Sequence, residues 1–174
     1  MTQYEWIAQK TNKTARNLVI VLLVGAFALM LIPAAIPTLP FRWVVQLIAL
    51  CLMTAGIFIT TRYLTKMFFY RIVSDGEALD LTVSEASSNG KRQITVCRVG
   101  VAGIRRQVVL ASLEEEKAER AALKKERVKI FDYRPDLRPE KSLLVLVEEG
   151  GEELALFLAY EETLASYLAP TDME

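Results

Sequence analysis

The chain has 174 residues, no histidine and two cysteines, and its 21 basic and 21 acidic residues give a formal net charge of zero. The lack of histidine removes the commonest general base, metal ligand and pH switch, and nothing in the sequence predicts a cofactor or a metal site. Charge is unevenly divided: it is +6 up to Arg71 and −6 beyond it. An acidic C-terminal part argues against a general nucleic-acid-binding protein.

Residues 1–17 are predicted to be a cytoplasmic or interfacial segment. Tyr4 and Trp6 precede the basic residues Lys13 and Arg16. Amphipathic aromatic and basic side chains are typical of a membrane–water interface, so we expect a short interfacial helix. A cleavable signal peptide is the alternative, and it is disfavoured because the apolar run is long and a second run follows it directly.

Two apolar runs, residues 18–36 and 43–61, are predicted to be transmembrane helices. Each has 19 residues without a charged side chain. At 1.5 Å per residue such a helix is roughly 28 Å long, close to the thickness of the bilayer hydrocarbon. The first helix should continue past a kink at Pro33, and residues 37–42 should form a short extracytoplasmic bend.

The small-xxx-small pair Cys51 and Ala55 suggests close helix approach within the second span. We expect this pair to pack the two spans against each other, with an oligomer seam as the alternative. Homo-oligomerisation therefore stays open at this stage.

Basic residues in the short flanks predict the orientation of the hairpin. Three precede the first span, Arg42 alone lies in the bend, and Arg62, Lys66 and Arg71 follow the second span. The positive-inside rule then places both termini in the cytoplasm, as in a multi-pass plasma-membrane protein. Residues 62–69 are predicted to be a juxtamembrane linker.

Residues 70–169 are predicted to be one soluble domain of about seven mainly antiparallel strands, followed by a short tail at 170–174. Three dipeptides that favour tight hairpin turns separate apolar runs: Asp75-Gly76, Asn89-Gly90 and Gly150-Gly151. Alternation predicts the following core residues in the strands: Leu79, Leu81, Ile94, Val96, Val145 and Leu156.

Two helices are predicted within this domain. Ser112 and Glu115 form a capping box at the start of a charged, inserted helix that extends to Arg127. We expect an i,i+4 pair between Glu116 and Arg120 and a mostly solvated helix. The last helix is expected at residues 161–169, with Leu164, Tyr167 and Leu168 on the face that covers the sheet.

Two further motifs have simple interpretations. Gly100-Val-Ala-Gly103 matches the GxxG loop of some nucleic-acid-binding domains, but it follows a strand instead of joining two helices, so we interpret it as a bend. The glutamates around Gly150-Gly151 could hold a hard cation, but a solvated acidic turn is the preferred interpretation.

A basic segment is the principal candidate site. No acidic residue lies between Glu85 and Glu114, and this stretch carries +5 while the rest of the soluble domain carries −11. The candidate residues for binding a lipid headgroup or an acidic partner are Lys91, Arg92, Arg98, Arg105 and Arg106. Solvated surface charge is the alternative.

The order of hairpin, about seven strands and closing helix resembles the bacterial pleckstrin-homology-like (PH-like) domain found behind two transmembrane helices in membrane proteins of mostly unknown function. The resemblance includes residues 70–74 entering the first strand and residues 154–158 leading into the closing helix. It implies a domain that binds lipid headgroups or proteins, and it brings no catalytic motif.

We therefore expect an integral membrane protein with a cytoplasmic binding or scaffolding module and no enzymatic activity. The alternative is a regulatory or assembly subunit of a larger membrane complex. Its partners would be the bilayer itself and an anionic lipid or a membrane protein.

Overall fold

The computed structural model describes residues 2–8, 13–36, 41–76, 78–87 and 92–169 of the chain. The chain divides into two compact units. One is a helical hairpin formed by residues 12–66. The other is formed by two separate stretches, residues 1–11 and 67–174.

The hairpin consists of helices α1 (Lys13–Ala35) and α2 (Arg42–Ile59), and α2 continues into a π-helix at Thr60–Leu64. Both helices are long and apolar enough to cross a membrane. Large apolar side chains such as Phe27 and Phe58 are about two-thirds exposed, at 66% and 67%. A helix of a soluble protein would bury these groups, so the exposed faces are suited to lipid.

Helix α1 runs through Pro33, as predicted. Positions 37–40 of the predicted bend lie outside the described residues.

Small residues bring α1 and α2 together, although not the pair that the sequence suggested. Gly56 is buried, and a Cβ at this position would lie 3.2 Å from Cδ2 of Leu23 on α1. Ala49 is also fully buried, whereas Cys51 and Ala55 are exposed. The prediction that Cys51 and Ala55 pack the two spans together is wrong. The two helices approach each other at Gly56 instead, because glycine has no Cβ to hold them apart.

The first sheet of the other unit contains strands β1 (Thr2–Ile7), β2 (Lys66–Asp75), β3 (Ala78–Ser87) and β4 (Gln93–Gly100) in that order. Strand β1 was not expected, since the sequence predicted an interfacial helix there. Its aromatic side chains alternate, and this pattern fits a half-buried strand once a pairing partner is present.

Strand β1, which precedes the hairpin in the sequence, pairs antiparallel with β2, which follows it. Tyr4 pairs with Ile72 and Ile7 pairs with Phe69. The Trp6 ring stacks on Tyr70 with centroids 5.6 Å apart. The β unit therefore consists of two pieces that flank the hairpin.

The predicted juxtamembrane linker at 62–69 is replaced by regular structure. The π-helix extends to Leu64 and β2 begins at Lys66. Phe68 is 2% exposed and belongs to the core, so the β unit begins before residue 70. The backbone passes from helix to strand with Thr65 alone between them.

A 3₁₀ turn at Val101–Gly103 leads into the second sheet, whose strands are β5 (Ile104–Leu110), β6 (Lys129–Asp132), β7 (Ser142–Glu149) and β8 (Glu152–Ala159). Their spatial order is β5-β7-β8-β6. Strands β5 and β8 are antiparallel to β7, and β6 is parallel to β8. The described residues thus form eight strands in two sheets, and the mainly antiparallel architecture is confirmed.

Two apolar clusters hold the β unit together. The larger one is formed by inward side chains of both sheets and of helix α4 (Glu162–Tyr167), including Leu81, Val145, Leu156, Leu164 and Leu168. The smaller one joins helix α3 (Leu113–Lys125), through Leu123, to strands of the second sheet.

Ile94 and Val96 are not in the core: they are 57% and 38% exposed. The register explains this correction. Cys97 pairs with Val83 but Thr95 pairs with Ser84, so Val96 is the extra residue of a β-bulge. A bulge interrupts the alternation on which the prediction depended.

Several local predictions are confirmed. Gly76, Gly150 and Gly151 have positive φ angles of 74°, 60° and 82°, as their turns require. The Asn89-Gly90 turn lies outside the described residues. The Ser112 side chain accepts a hydrogen bond from the Glu115 N–H at 3.2 Å, which is the predicted cap.

Helix α4 closes one side of the two sheets. The Tyr4 hydroxyl donates to Glu161 Oε2 at 2.5 Å, and its ring lies 5.6 Å from that of Tyr167. Gln107 of β5 donates to the Ala165 carbonyl at 3.0 Å. The helix therefore links an edge of the first sheet to an edge of the second.

Candidate functional site

The basic segment is divided between two sheets. Arg92 directly precedes β4, Arg98 lies within β4, and Arg105 and Arg106 lie on β5. Lys91 lies outside the described residues. The candidate residues therefore do not share a single strand or sheet.

Three of these arginines form ion pairs with carboxylates of other elements. The distances are 2.7 Å from Arg98 to Asp80, 2.5 Å from Arg105 to Glu148, and 2.8 Å from Arg106 to Glu119. The three partners belong to β3, β7 and α3.

All three guanidinium groups are exposed, so each pair contributes only about 0–1 kcal/mol to stability. Their main effect is to neutralise most of the local positive charge. The excess of +5 read from the sequence is much smaller on the folded surface.

Arg92 differs from the other three. Its side chain is exposed, and it makes no ion pair with any residue in the described part of the chain. Gln93, its neighbour, accepts a hydrogen bond from Arg71 Nη2 at 3.1 Å. This hydrogen bond fixes the start of β4, and the positive charge of Arg92 stays available to bind a ligand.

The position of Arg92 in the first sheet follows from strand order. Gln93 pairs with Ala86, so β4 begins where β3 ends. The tight turn at Gly76 joins β2 to β3, so β3 ends at the end of the sheet where β2 begins. Arg92 therefore lies at the same end of the sheet as Ile7 and Lys66, where the chain leaves for the hairpin and returns. We call this the hairpin end of the first sheet.

The opposite end carries an acidic turn beside a cavity. The 3₁₀ turn at Val101–Gly103 and the Gly150-Gly151 turn line a cavity of about 530 Å³ together with Arg105 and Glu148. A Cβ on Gly103 would lie 2.8 Å from the Glu148 carbonyl oxygen, so only glycine fits there. Gly103 of the GxxG sequence thus serves a close backbone contact between the 3₁₀ turn and β7.

Four glutamates flank this turn: Glu148, Glu149, Glu152 and Glu153. Since β4 ends next to this turn, the acidic turn and Arg92 lie at opposite ends of β4. The hairpin end of the first sheet therefore carries Arg92, near Glu85 of β3, while the acidic turn keeps a net negative charge after Glu148 pairs with Arg105 and Glu152 pairs with Lys129.

A buried ion cluster is the most connected polar group of the β unit. Arg134 is 5% exposed and binds Glu116 at 2.7 Å and Asp132 at 2.7 Å. Arg120 binds the same two carboxylates, at 2.8 and 2.5 Å, and its guanidinium lies 4.1 Å from the centroid of the Phe157 ring. The cluster fastens α3 to the end of β6.

The pKa values in this cluster are shifted toward the charged forms. Burial alone would raise the pKa of Glu116 and of Asp132, but hydrogen bonds and positive charge from Arg134, supported by Arg120, hold both below their ordinary values. Glu116 and Asp132 are therefore both charged at neutral pH.

The sequence predicted the Glu116–Arg120 pair, which is confirmed, but missed Asp132 and Arg134. Their spacing in the chain gives no sign that a helix would pack above them.

Cys97 and Tyr133 form a half-buried pair. Burial raises the pKa of the Cys97 thiol, and burial together with the nearby Cys97 raises the pKa of Tyr133 to about 12. Both groups are protonated at neutral pH, so Cys97 is not an activated nucleophile.

No group of three or more aspartate, glutamate or cysteine side chains in the described ranges is arranged to hold a metal ion. Comparison of the chain with known protein families, curated proteins and solved structures found no match.

Proposed function

We propose that this chain is an integral plasma-membrane protein whose hairpin holds a PH-like β domain at the cytoplasmic face, where the domain acts as a binding or scaffolding module. One observation carries the proposal: β1 precedes the hairpin, β2 follows it, and the two strands pair along their length.

Pairing of β1 with β2 restricts the topology of a membrane-inserted chain. The chain leaves the sheet after Ile7 and returns at Lys66, and between them lie two helices long enough to span. Two crossings return the chain to the side from which it started. Strands on both sides of the hairpin can then pair, and the distribution of basic flanking residues favours the cytoplasm as that side.

Short connections support a module that acts at the membrane surface. Thr65 alone separates the π-helix from β2. Residues 8–12 connect β1 to α1 and can extend over at most roughly 18 Å. A domain tethered in this way meets membrane-bound ligands at high effective concentration, so weak contacts can be occupied.

An anionic ligand is supported by the charge of the hairpin end. Arg92 offers a cation that is not neutralised by a described residue, and Lys91 precedes it in the sequence. The antiparallel sheets and closing helix α4 support the PH-like assignment, and such domains in general bind headgroups or proteins.

Native mass spectrometry of the full chain, released from its own membranes, tests the proposal. We expect the wild-type protein to retain an anionic lipid or a protein partner in stoichiometric amount, and Arg92→Glu to lose it. The variant Arg127→Glu is the matched control, since Arg127 is also exposed but follows α3. A wild-type chain that never carries either ligand would contradict the proposed function.

A further inference from the structure

We propose that the hairpin end of the first sheet rests on the anionic surface of the bilayer, with Arg92 at the lipid phosphates and Ile7 and Ile94 in the headgroup layer. This inference rests on the proposed function and names the anionic ligand as the membrane itself. It also selects Arg92 from the five candidate basic residues.

Strand connectivity brings this end of the sheet close to the membrane. Strand β2 begins one residue after the π-helix, and β1 ends five residues before the described start of α1 at Lys13. Strand β3 ends and β4 begins at the same end of the sheet, and Arg92 directly precedes β4. Such short connections keep this end of the sheet within reach of lipid headgroups.

The exposed side chains at this end suit a membrane interface. Ile7 is 46% exposed and Ile94 is 57% exposed, although both belong to strands. Apolar side chains next to basic ones are the usual composition of surfaces that insert shallowly among headgroups. The hairpin end combines these apolar groups with an unneutralised arginine.

Charge at the opposite end favours the same orientation. The acidic turn beside the Gly103 cavity carries four glutamates. Glu148 pairs with Arg105 and Glu152 pairs with Lys129, so its net negative charge comes from Glu149 and Glu153. An anionic leaflet would attract Arg92 and repel this turn. The domain would therefore orient with Arg92 toward the membrane and the acidic turn away from it. The other three arginines are held by Asp80, Glu148 and Glu119 and add little to this attraction.

A spin label reports the orientation directly. In a full-length chain with Cys51→Ser and Cys97→Ala, a label is attached through Ile94→Cys, or through Glu152→Cys as the control at the acidic turn. The protein is reconstituted in nanodiscs of phosphatidylcholine, with or without phosphatidylglycerol. The accessibility of the label to oxygen and to a water-soluble nickel complex is then measured.

With phosphatidylglycerol present, we expect the label at position 94 to be accessible to oxygen and shielded from nickel, while the label at 152 stays aqueous. Arg92→Gln should shift the balance of docked and undocked forms roughly fivefold toward the undocked form. Arg127→Gln, which removes an exposed arginine beside the acidic turn, should leave it unchanged. Added salt should weaken the docking.

Two results would overturn the proposal. One is a label at position 94 that stays aqueous in anionic nanodiscs. The other is equal shielding with and without phosphatidylglycerol, because charge would then have no part in the contact. If either occurs while native membranes yield an Arg92-dependent protein partner, the proposed function stands and the lipid contact fails.

Discussion

At the scale of single residues, Arg134 has the largest structural role of the arginines in the β unit. Its guanidinium is almost fully buried and holds Glu116 and Asp132 together. Removing one partner of a buried ion group leaves charge without compensation, and such changes cost about 3–5 kcal/mol. Because Arg120 still neutralises part of the charge, we expect Arg134→Ala to cost about 3 kcal/mol of unfolding free energy.

Urea unfolding in detergent micelles measures this cost. The chain has two tryptophans, so Trp43→Phe leaves Trp6 as a fluorescent reporter of the β unit. Arg138→Ala, an exposed change in the loop that follows Arg134, should alter stability by less than about 0.5 kcal/mol. Equal stability of the Arg134→Ala and Arg138→Ala proteins would show that the cluster does not stabilise the fold.

The same cluster predicts a pH dependence. The folded-state pKa values of Glu116 and Asp132 lie below their ordinary values of 4.5 and 3.8. Depressed values mean that the contribution to stability is fully present above the unfolded-state pKa values and is lost as the pH falls through the folded ones. The difference between wild type and Arg134→Ala should therefore be largest above pH 4.5 and shrink as the solution is acidified further.

At the scale of elements, β1 completes the β unit. Trp6 of β1 stacks on Tyr70, and Ala8, which directly follows β1, is only 1% exposed. Tyr4 of β1 holds the start of α4 through its hydrogen bond to Glu161. We expect a hairpin-free protein made of residues 2–8 joined by a short Gly-Ser linker to residues 67–169 to unfold cooperatively in urea. Residues 67–169 alone should be less stable by about 3 kcal/mol or more, comparable to the loss of a large buried aromatic group. Equal urea midpoints would show that β1 is dispensable.

Local chemistry determined the elements that the sequence could predict. Glycines in turns, the Ser112 cap and the Glu116–Arg120 pair depend on neighbours a few residues apart. Strand β1 could not be predicted in this way, since its paired residues in β2 lie 62 to 71 positions further along the chain, from Ile7↔Phe69 to Thr2↔Val73. A bulge at Val96 interrupted the alternation from which Ile94 and Val96 were predicted to be core residues.

The candidate site shows the same division. Charge counting found the basic segment, but only the fold shows that Arg98, Arg105 and Arg106 are paired and that Arg92 stands at the hairpin end. Those pairings join residues up to 43 positions apart, between Arg105 and Glu148, and no local pattern announces them.

At the scale of the whole molecule, the central claim is that a membrane hairpin is inserted between two paired strands of one domain. Such an arrangement requires the first residues and the body of the β unit to lie on one side of the membrane. It also ties the domain to the bilayer through both ends of the hairpin. A domain that simply followed its two spans would be tied through one end only.

Cysteine labelling with a membrane-impermeant maleimide in intact cells tests this claim most directly. In a chain with Cys51→Ser and Cys97→Ala, single cysteines are placed by Gln3→Cys in β1, Glu153→Cys in β8 and Thr38→Cys between the spans. We predict that Thr38→Cys reacts in intact cells, and that Gln3→Cys and Glu153→Cys both react only after the membrane is permeabilised. Labelling of Gln3→Cys and Glu153→Cys from different sides would contradict the pairing of β1 with β2.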